Sequence, residues 1–216
     1  VLMGQVASNS NIAKRLYLAT HKFVGHIPGG IAMTTVAGAT LFKAMCGSTL
    51  ATAATFAGIA IPEMDRYGYD KKLSTGVVAS VGTLGMLIPP SIVLIIYSII
   101  VEESIGKMFL AGIIPGLLIS SFFMLVIYGW VKINPSIAPR AEKSSWSDRF
   151  KTLPEFVWVA IIFIAVVGGL MWGIFSPTEA GSMGTFAVLA LAAVRKELTI
   201  RGFLKSIDES LRTACM

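Results

Sequence analysis

The chain has 216 residues, of which 55% are hydrophobic and 14% charged, with a net charge of +6 and a mean hydropathy of +0.75. That balance is too apolar for a water-soluble domain and describes an all-α polytopic membrane protein whose solvent is the lipid bilayer. The positive charge does not read as nucleic-acid binding, because no basic patch is interleaved with aromatic residues.

The chain opens at Val1 in what reads as the end of a helix and stops just after "ESLRTACM" starts another. It is therefore read as an internal segment, for which the lack of a leader carries no meaning. In "NIAKRLYLATHKFVGH", residues 11–26, Ile12, Leu16, Ala19 and Phe23 recur at helical spacing with basic residues between them. His21 and His26, the chain's two histidines, fall here, where interfacial solvation accounts for them.

The next run, 27–62, is uncharged apart from Lys43. It is too long for one crossing and too short for two with a turn. Two half-depth helices fit, roughly 30–45 and 50–61; at 1.5 Å per residue they rise about 24 and 18 Å against about 30 Å of hydrocarbon. The result is a re-entrant hairpin over about 30–62 whose tip falls at "CGST", residues 46–49.

A span over about 73–101 follows, but "SVGTLGMLIPPSIVLI" at 80–95 interrupts it with Gly82, Thr83, Gly85, Pro89, Pro90 and Ser91. Each proline lacks an N–H and pushes the preceding residue toward extended geometry. The first half-helix is expected to end around Gly82 and the second to start near Pro90. Irregular backbone at that depth is tolerated where it is packed in protein or lines a wet cavity.

Further spans are expected at 108–131, 154–175 and 178–194. Between the first two, Pro135, Pro139 and the cluster Ser144, Ser145 and Ser147 disfavour regular structure. In "FSPTEAG", Ser176 or Thr178 suits a helix cap, Pro177 an early turn, and Glu179 the positive helix end. Counting from the hairpin, the loops 12–26, 63–72, 132–153 and 195–212 share one side. That side holds all of the 18 Lys and Arg except Lys43 and Lys107, which makes it cytoplasmic.

Cys46 and Cys215 form no disulfide framework and no metal pattern, and read as free thiols. No histidine falls inside the membrane to serve an embedded hydrolase, so the chain does not read as an enzyme.

The broken span and the hairpin tip offer the same materials. Free carbonyls at the end of one half-helix attract a small cation, and free N–H groups at the start of the other attract an anion. Thr83 adds a hydroxyl, Gly82 and Gly85 allow close backbone approach, and Gly47, Ser48 and Thr49 present a matching tip. These six residues form a candidate sodium site. Ser48 or Thr49 also suits a cap for the following helix, whose Ala51, Ala53 and Ala54 permit tight packing. Thr52 and Thr55 have an equally ordinary use, bonding back to their own helix carbonyls.

At these residues the chain resembles the large membrane subunit of the tripartite ATP-independent periplasmic (TRAP) transporters. The resemblance runs from "PGGIAMTTVAGATLFKAMCGSTLATAATFAGIAIPEMDRYGYDKKLSTGVVASVGTLGMLIPPSIVLIIY" through "SIGKMFLAGIIPGLL" to "GIFSPTEAGSMGTFAVLAL". It implies an elevator-type transporter of two inverted repeats, each with a re-entrant hairpin and a broken helix. It further implies sodium-driven uptake of an organic acid, such as a C4-dicarboxylate or sialic acid, across the bacterial inner membrane. The implied partners are a small membrane subunit and a periplasmic substrate-binding protein.

On this pattern residues 1–132 hold the end of a scaffold helix, an arm at 11–26 and the first repeat. Residues 133–153 are the cytoplasmic linker, and 154–216 begin the second repeat. The arm fits either a connection between a fixed scaffold and a moving domain or a plain surface helix. The resemblance places Thr52, Pro89, Pro90 and Ser91 on the substrate side. Thr49 stands where the family usually has serine, and Lys43 where a small neutral residue is expected; Lys43 either snorkels to the cytoplasmic surface or alters the charge near the site. Two other readings stay open. Saturable sodium-dependent uptake separates a transporter from a channel-like pore, and loss of uptake on mutating Ser48 and Thr83 separates it from a non-transporting assembly subunit.

Overall fold

The computed structural model describes residues 1–139 and 145–215, so Arg140, Lys143 and Ser144 of the basic connection lie outside the described residues. Among the described residues every regular element is helical. In chain order come α1 (Leu2–Asn9), α2 (Ile12–Val24), α3 (Gly30–Lys43), α4 (Thr49–Arg66), α5 (Lys71–Thr83), α6 (Ile92–Ile100), α7 (Ile105–Ile133) and α8 (Trp146–Phe163). A π turn over Ile164–Gly168 joins α8 to α9 (Gly169–Met171), followed by α10 (Pro177–Val194) and α11 (Ile200–Ala214).

Among the described residues three stretches are long and apolar enough to cross a bilayer: Ile105–Ile133, Trp146–Met171 and Pro177–Val194, with mean hydropathies of 2.4, 2.2 and 1.2. On α7, Leu110, Ile114, Leu117, Phe122 and Leu125 are exposed, an apolar surface that water would penalise and lipid tolerates. The chain is thus a polytopic, all-helical membrane protein.

The hairpin helices are α3 and α4. Gly38 on α3 comes so close to Phe56 on α4 that an added Cβ would stand 3.3 Å from the ring. Phe56 also meets Tyr17 of α2 and Phe42 of α3 edge-on, with ring centroids 6.3 and 5.8 Å apart, a preferred aromatic arrangement. α2 therefore does not lie loose: it packs against α3 and α8 and buries Ile12, Leu16 and Ala19.

Several expected boundaries move. α4 continues past 61 to Arg66, because Pro62 forfeits one intrahelical hydrogen bond without ending the helix. α6 begins at Ile92 rather than near Pro90, with Ser91 in extended geometry as its N-cap residue. α8 begins at Trp146, so residues 146–153 are helical; Ser145 is the N-cap and Asp148 in the first turn complements the helix's positive end. Pro135–Ile137 form a 3-10 turn where irregular chain was expected. Residues 209–214 close α11 instead of opening a helix. The Ser176 cap is as expected: Ser176 Oγ accepts from the Glu179 N–H, and Glu179 Oε2 accepts from the Ser176 N–H, a capping box.

The loops counted to one side are tied to one another. The Asp70 N–H donates to the Ile137 carbonyl at 2.9 Å, and an Arg149 guanidinium nitrogen stands 3.4 Å from His26 Nδ1. Arg15 Nε lies 2.6 Å from Glu197 Oε1, and Arg195 pairs with Glu155. Elsewhere the start of α7 meets α9, where Gly106 packs on Met171 and Leu170.

Candidate functional site

Four helix ends converge. α3 ends at Lys43, and α5 ends at Thr83 in a 3-10 turn over Leu84–Met86; α4 starts at Thr49 and α6 at Ile92. The first two bring carbonyl ends and partial negative charge, the last two amide ends and partial positive charge.

Glycines set how closely these ends approach. An added Cβ at Gly47 would stand 2.9 Å from the Pro90 carbonyl oxygen, and one at Gly82 would stand 3.3 Å from Ala53 Cβ. At Gly85 it would collide with Nζ and Cε of Lys43 and stand 3.0 Å from Thr49 Cγ2. Gly47 and Thr49 of the tip therefore lie against the break, at Pro90 and Gly85. Close backbone contact of this kind requires glycine.

The groups at the meeting point are not those expected. Ser48 Oγ accepts from the Ala51 N–H at 3.2 Å and caps α4. Thr83 is exposed, and its hydroxyl donates back to the Ser80 carbonyl at 2.7 Å. Thr49 turns its methyl toward Gly85. The centre is held by Lys43, which is fully buried and donates from Nζ to the Ser48 carbonyl at 2.8 Å. Lys43 thus does not snorkel to a surface. The same Ser48 carbonyl accepts the Thr52 hydroxyl at 3.0 Å.

This arrangement does not fit a sodium ion at the six expected residues. A hard cation needs several converging oxygens at short range. Here the Ser48 carbonyl is already engaged, the Ser48 and Thr83 hydroxyls bond elsewhere, Thr49 presents its methyl, and an ammonium stands against Gly85.

The four residues on the expected substrate side do not converge on one polar pocket. Thr52 is fully buried and bonded to its own helix, and Thr55 likewise donates to the Ala51 carbonyl at 2.6 Å. Ser91 is fully buried and donates to the Met86 carbonyl at 2.9 Å. Pro89 lines an apolar cavity of about 250 Å³ with Leu41, Ile88, Leu117 and Phe156, while the Pro90 carbonyl faces Gly47.

Sequence reasoning missed a groove of about 410 Å³ between α1, α4 and α11, lined by Ser8, Asn9, Thr55, Lys205, Glu209 and Arg212. Its floor is polar: Ser8 and Thr55 share a hydrogen bond, Asn9 Nδ2 donates to Glu209 Oε2 at 2.7 Å, and Ser206 donates to the Gln5 carbonyl at 3.2 Å. α11 carries an apolar stripe at helical spacing, Ile200, Phe203, Leu204, Ile207 and Leu211, yet Ile200, Leu204 and Leu211 are exposed and the helix docks by polar groups. The stripe and the i, i+4 charge spacing of Lys205 with Glu209 and Asp208 with Arg212 mark a helix without pointing to the groove.

Residues 1–216 match the family model described as "Tripartite ATP-independent periplasmic transporter, DctM component". The chain is 39% identical over 219 residues to the C4-dicarboxylate TRAP transporter large permease protein DctM of Pseudomonas aeruginosa, covering 100% of this chain and 50% of that protein. It is 38% identical to the ectoine TRAP transporter large permease protein TeaC of Halomonas elongata, covering 96% of this chain and 47% of that one. With the sialic acid TRAP transporter permease protein SiaT of Haemophilus influenzae it shares 32% identity over 98% of this chain and 34% of the other. The chain thus spans about half the length, or less, of these curated relatives, each of which is named as a transporter permease.

Proposed function

This chain belongs to the DctM-component family of tripartite ATP-independent periplasmic transporters, and from that premise we propose that the whole protein takes up an organic acid across the bacterial inner membrane by an elevator movement. The observation that carries this reading is the docking of the hairpin tip on the broken helix through Gly47, Gly82 and Gly85. Ends of helices held together this way offer charge-bearing backbone at a site that can travel as one body.

The hairpin is proposed to be re-entrant, entering and leaving on the cytoplasmic side. Two findings support it: the Ile31 N–H reaches the Tyr69 hydroxyl at 3.2 Å, and the connected loops carry nearly all of the Lys and Arg. The amide ends of α4 and α6 are proposed to face the acid's negative charge. A small membrane subunit and a periplasmic binding protein are the proposed partners, the second delivering the substrate. The substrate is proposed to be a C4-dicarboxylate, sialic acid or a similar acid. Sodium is proposed to drive the whole transporter, with its ligands away from the tip-to-break position.

Uptake of radiolabelled acids into proteoliposomes tests this reading, using the full-length protein with its two partners. Saturable uptake that needs the binding protein and an ion gradient is the expected result. Equal uptake of free acid by the membrane protein alone would overturn it.

A further inference from the structure

We propose that the Lys43 ammonium is a built-in cation that fills the ion position between the hairpin tip and the broken helix, so that this half of the transport site is charged without binding sodium. The inference deepens the uptake reading by specifying what occupies this half-site, and it rests on that reading for its role in transport.

The position is made for a cation. The Ser48 carbonyl points into it, and the backbone at Gly85, just past the end of α5, stands against it. A mobile ion would be drawn there, but Lys43 arrives first because it is the last residue of α3 and its stem spans the tip. Its Nζ is 2.8 Å from the Ser48 oxygen and the side chain is fully buried. None of the ion pairs among the described residues involves Lys43. The acceptor that meets it among the described residues is a backbone carbonyl, that of Ser48, the kind of group that would also bind a hard cation.

Gly85 completes the fit. A side chain there would overlap Nζ and Cε, so the break leaves room for an ammonium head where any other residue would evict it. An ammonium presents three N–H donors to surrounding oxygens and, unlike a sodium ion, cannot leave. The consequence for the cycle is specific: this half-site carries the same charge loaded and empty, and it contributes no sodium to the stoichiometry.

The experiment uses the purified full-length protein, with sodium chloride compared against choline chloride at equal ionic strength. In wild type, alkylation of Cys46, whose Sγ lies 3.6 Å from the Ser48 oxygen, is expected to proceed at one rate in both salts, followed by peptide mass spectrometry. Lys43→Ala is expected to open the position. Its Tm should then rise by about 3 °C or more in sodium beyond the wild-type change, and sodium should slow Cys46 alkylation at least about twofold. Lys43→Ser, which restores a small neutral residue, is the second variant should Lys43→Ala not fold.

Slowing of Cys46 alkylation by sodium in wild type would overturn the proposal, because an ion would then bind with Lys43 in place. So would variants that gain no sodium response but lose stabilisation by the organic acid, which would make Lys43 a carboxylate anchor. Failure of the uptake reading shows separately, as absence of acid uptake with these sodium readouts intact.

Discussion

The backbone N–H of Ile31, in the first turn of α3, donates to the hydroxyl of Tyr69, beyond the end of α4, at 3.2 Å. An amide that its own helix leaves unpaired thereby gains an acceptor, and the two open ends of the hairpin are joined. Burial pushes the Tyr69 phenol up to about 12, so the hydroxyl stays neutral across the working pH range. Tyr69→Phe is expected to destabilise the protein by about 1–2 kcal/mol, read as a lower Tm of the detergent-purified full-length protein. An unchanged Tm would show that the bond contributes nothing net.

Because those ends meet, residues before α3 and after α4 are expected on one membrane face. Cysteines placed at His26 and Arg66 should both react with an impermeant thiol reagent applied to inside-out vesicles, and neither with reagent applied to whole cells. Labelling from opposite faces would make the hairpin a pair of crossings.

The hydroxyls nearest the meeting point serve local bonds. Thr83→Ala is expected to leave both expression and the proposed sodium dependence of uptake at wild-type values, since its hydroxyl bonds Ser80 on an exposed face. Ser48→Ala removes the α4 cap and is expected to cost about 1 kcal/mol with the same sodium dependence. A raised half-saturating sodium concentration in either variant would restore the six-residue ion site.

Gly85 and Lys43 are expected to be coupled. Gly85→Ala should be strongly destabilising in the wild-type background, because the new methyl meets Nζ. In a Lys43→Ala background it should cost less by at least about 1 kcal/mol. A double-mutant cycle of unfolding midpoints that closes additively would mean the two residues do not share space.

His21, on α2 and outside the three candidate spans among the described residues, gives a pH dependence. Burial lowers its pKa below the ordinary value of 6.5, with Glu63 opposing and Lys22 adding to the shift. Between the lowered folded value and 6.5 the unfolded chain binds the extra proton, so stability falls as pH drops through that window and is fully present above it. Tm measured from pH 8 to pH 5 is expected to decline below about 6.5, and His21→Phe should flatten that decline. A decline of equal size in His21→Phe would assign it to other groups.

Much of this molecule could be read from local chemistry. The spans over α7, α8 and α10 follow from apolar runs, the interruption between α5 and α6 from adjacent prolines, and the Ser176–Glu179 capping box from four consecutive residues. These features depend on neighbours in sequence, where hydropathy, missing N–H groups and capping act directly. Even the approach of the tip to the break was foreseeable, because glycines on both sides leave backbone free to meet backbone.

What stands at that meeting point depended on groups far apart in the chain. A lone lysine in an apolar hairpin has two fates, a surface or a buried carbonyl, and the choice rests on whether Ser48 and Gly85 leave room for Nζ. Likewise, Thr83 carries a usable hydroxyl in any conformation, yet its helix turns it outward toward Ser80. α11 docks on α1 through Ser206 and Asn9 while Ile200, Leu204 and Leu211 of its apolar stripe stay exposed, so periodicity reveals the helix but not the face that docks. Composition and spacing establish which groups are available; three-dimensional packing selects the partner each one takes, because a hydrogen bond or a charge is satisfied by whatever acceptor stands within about 3 Å.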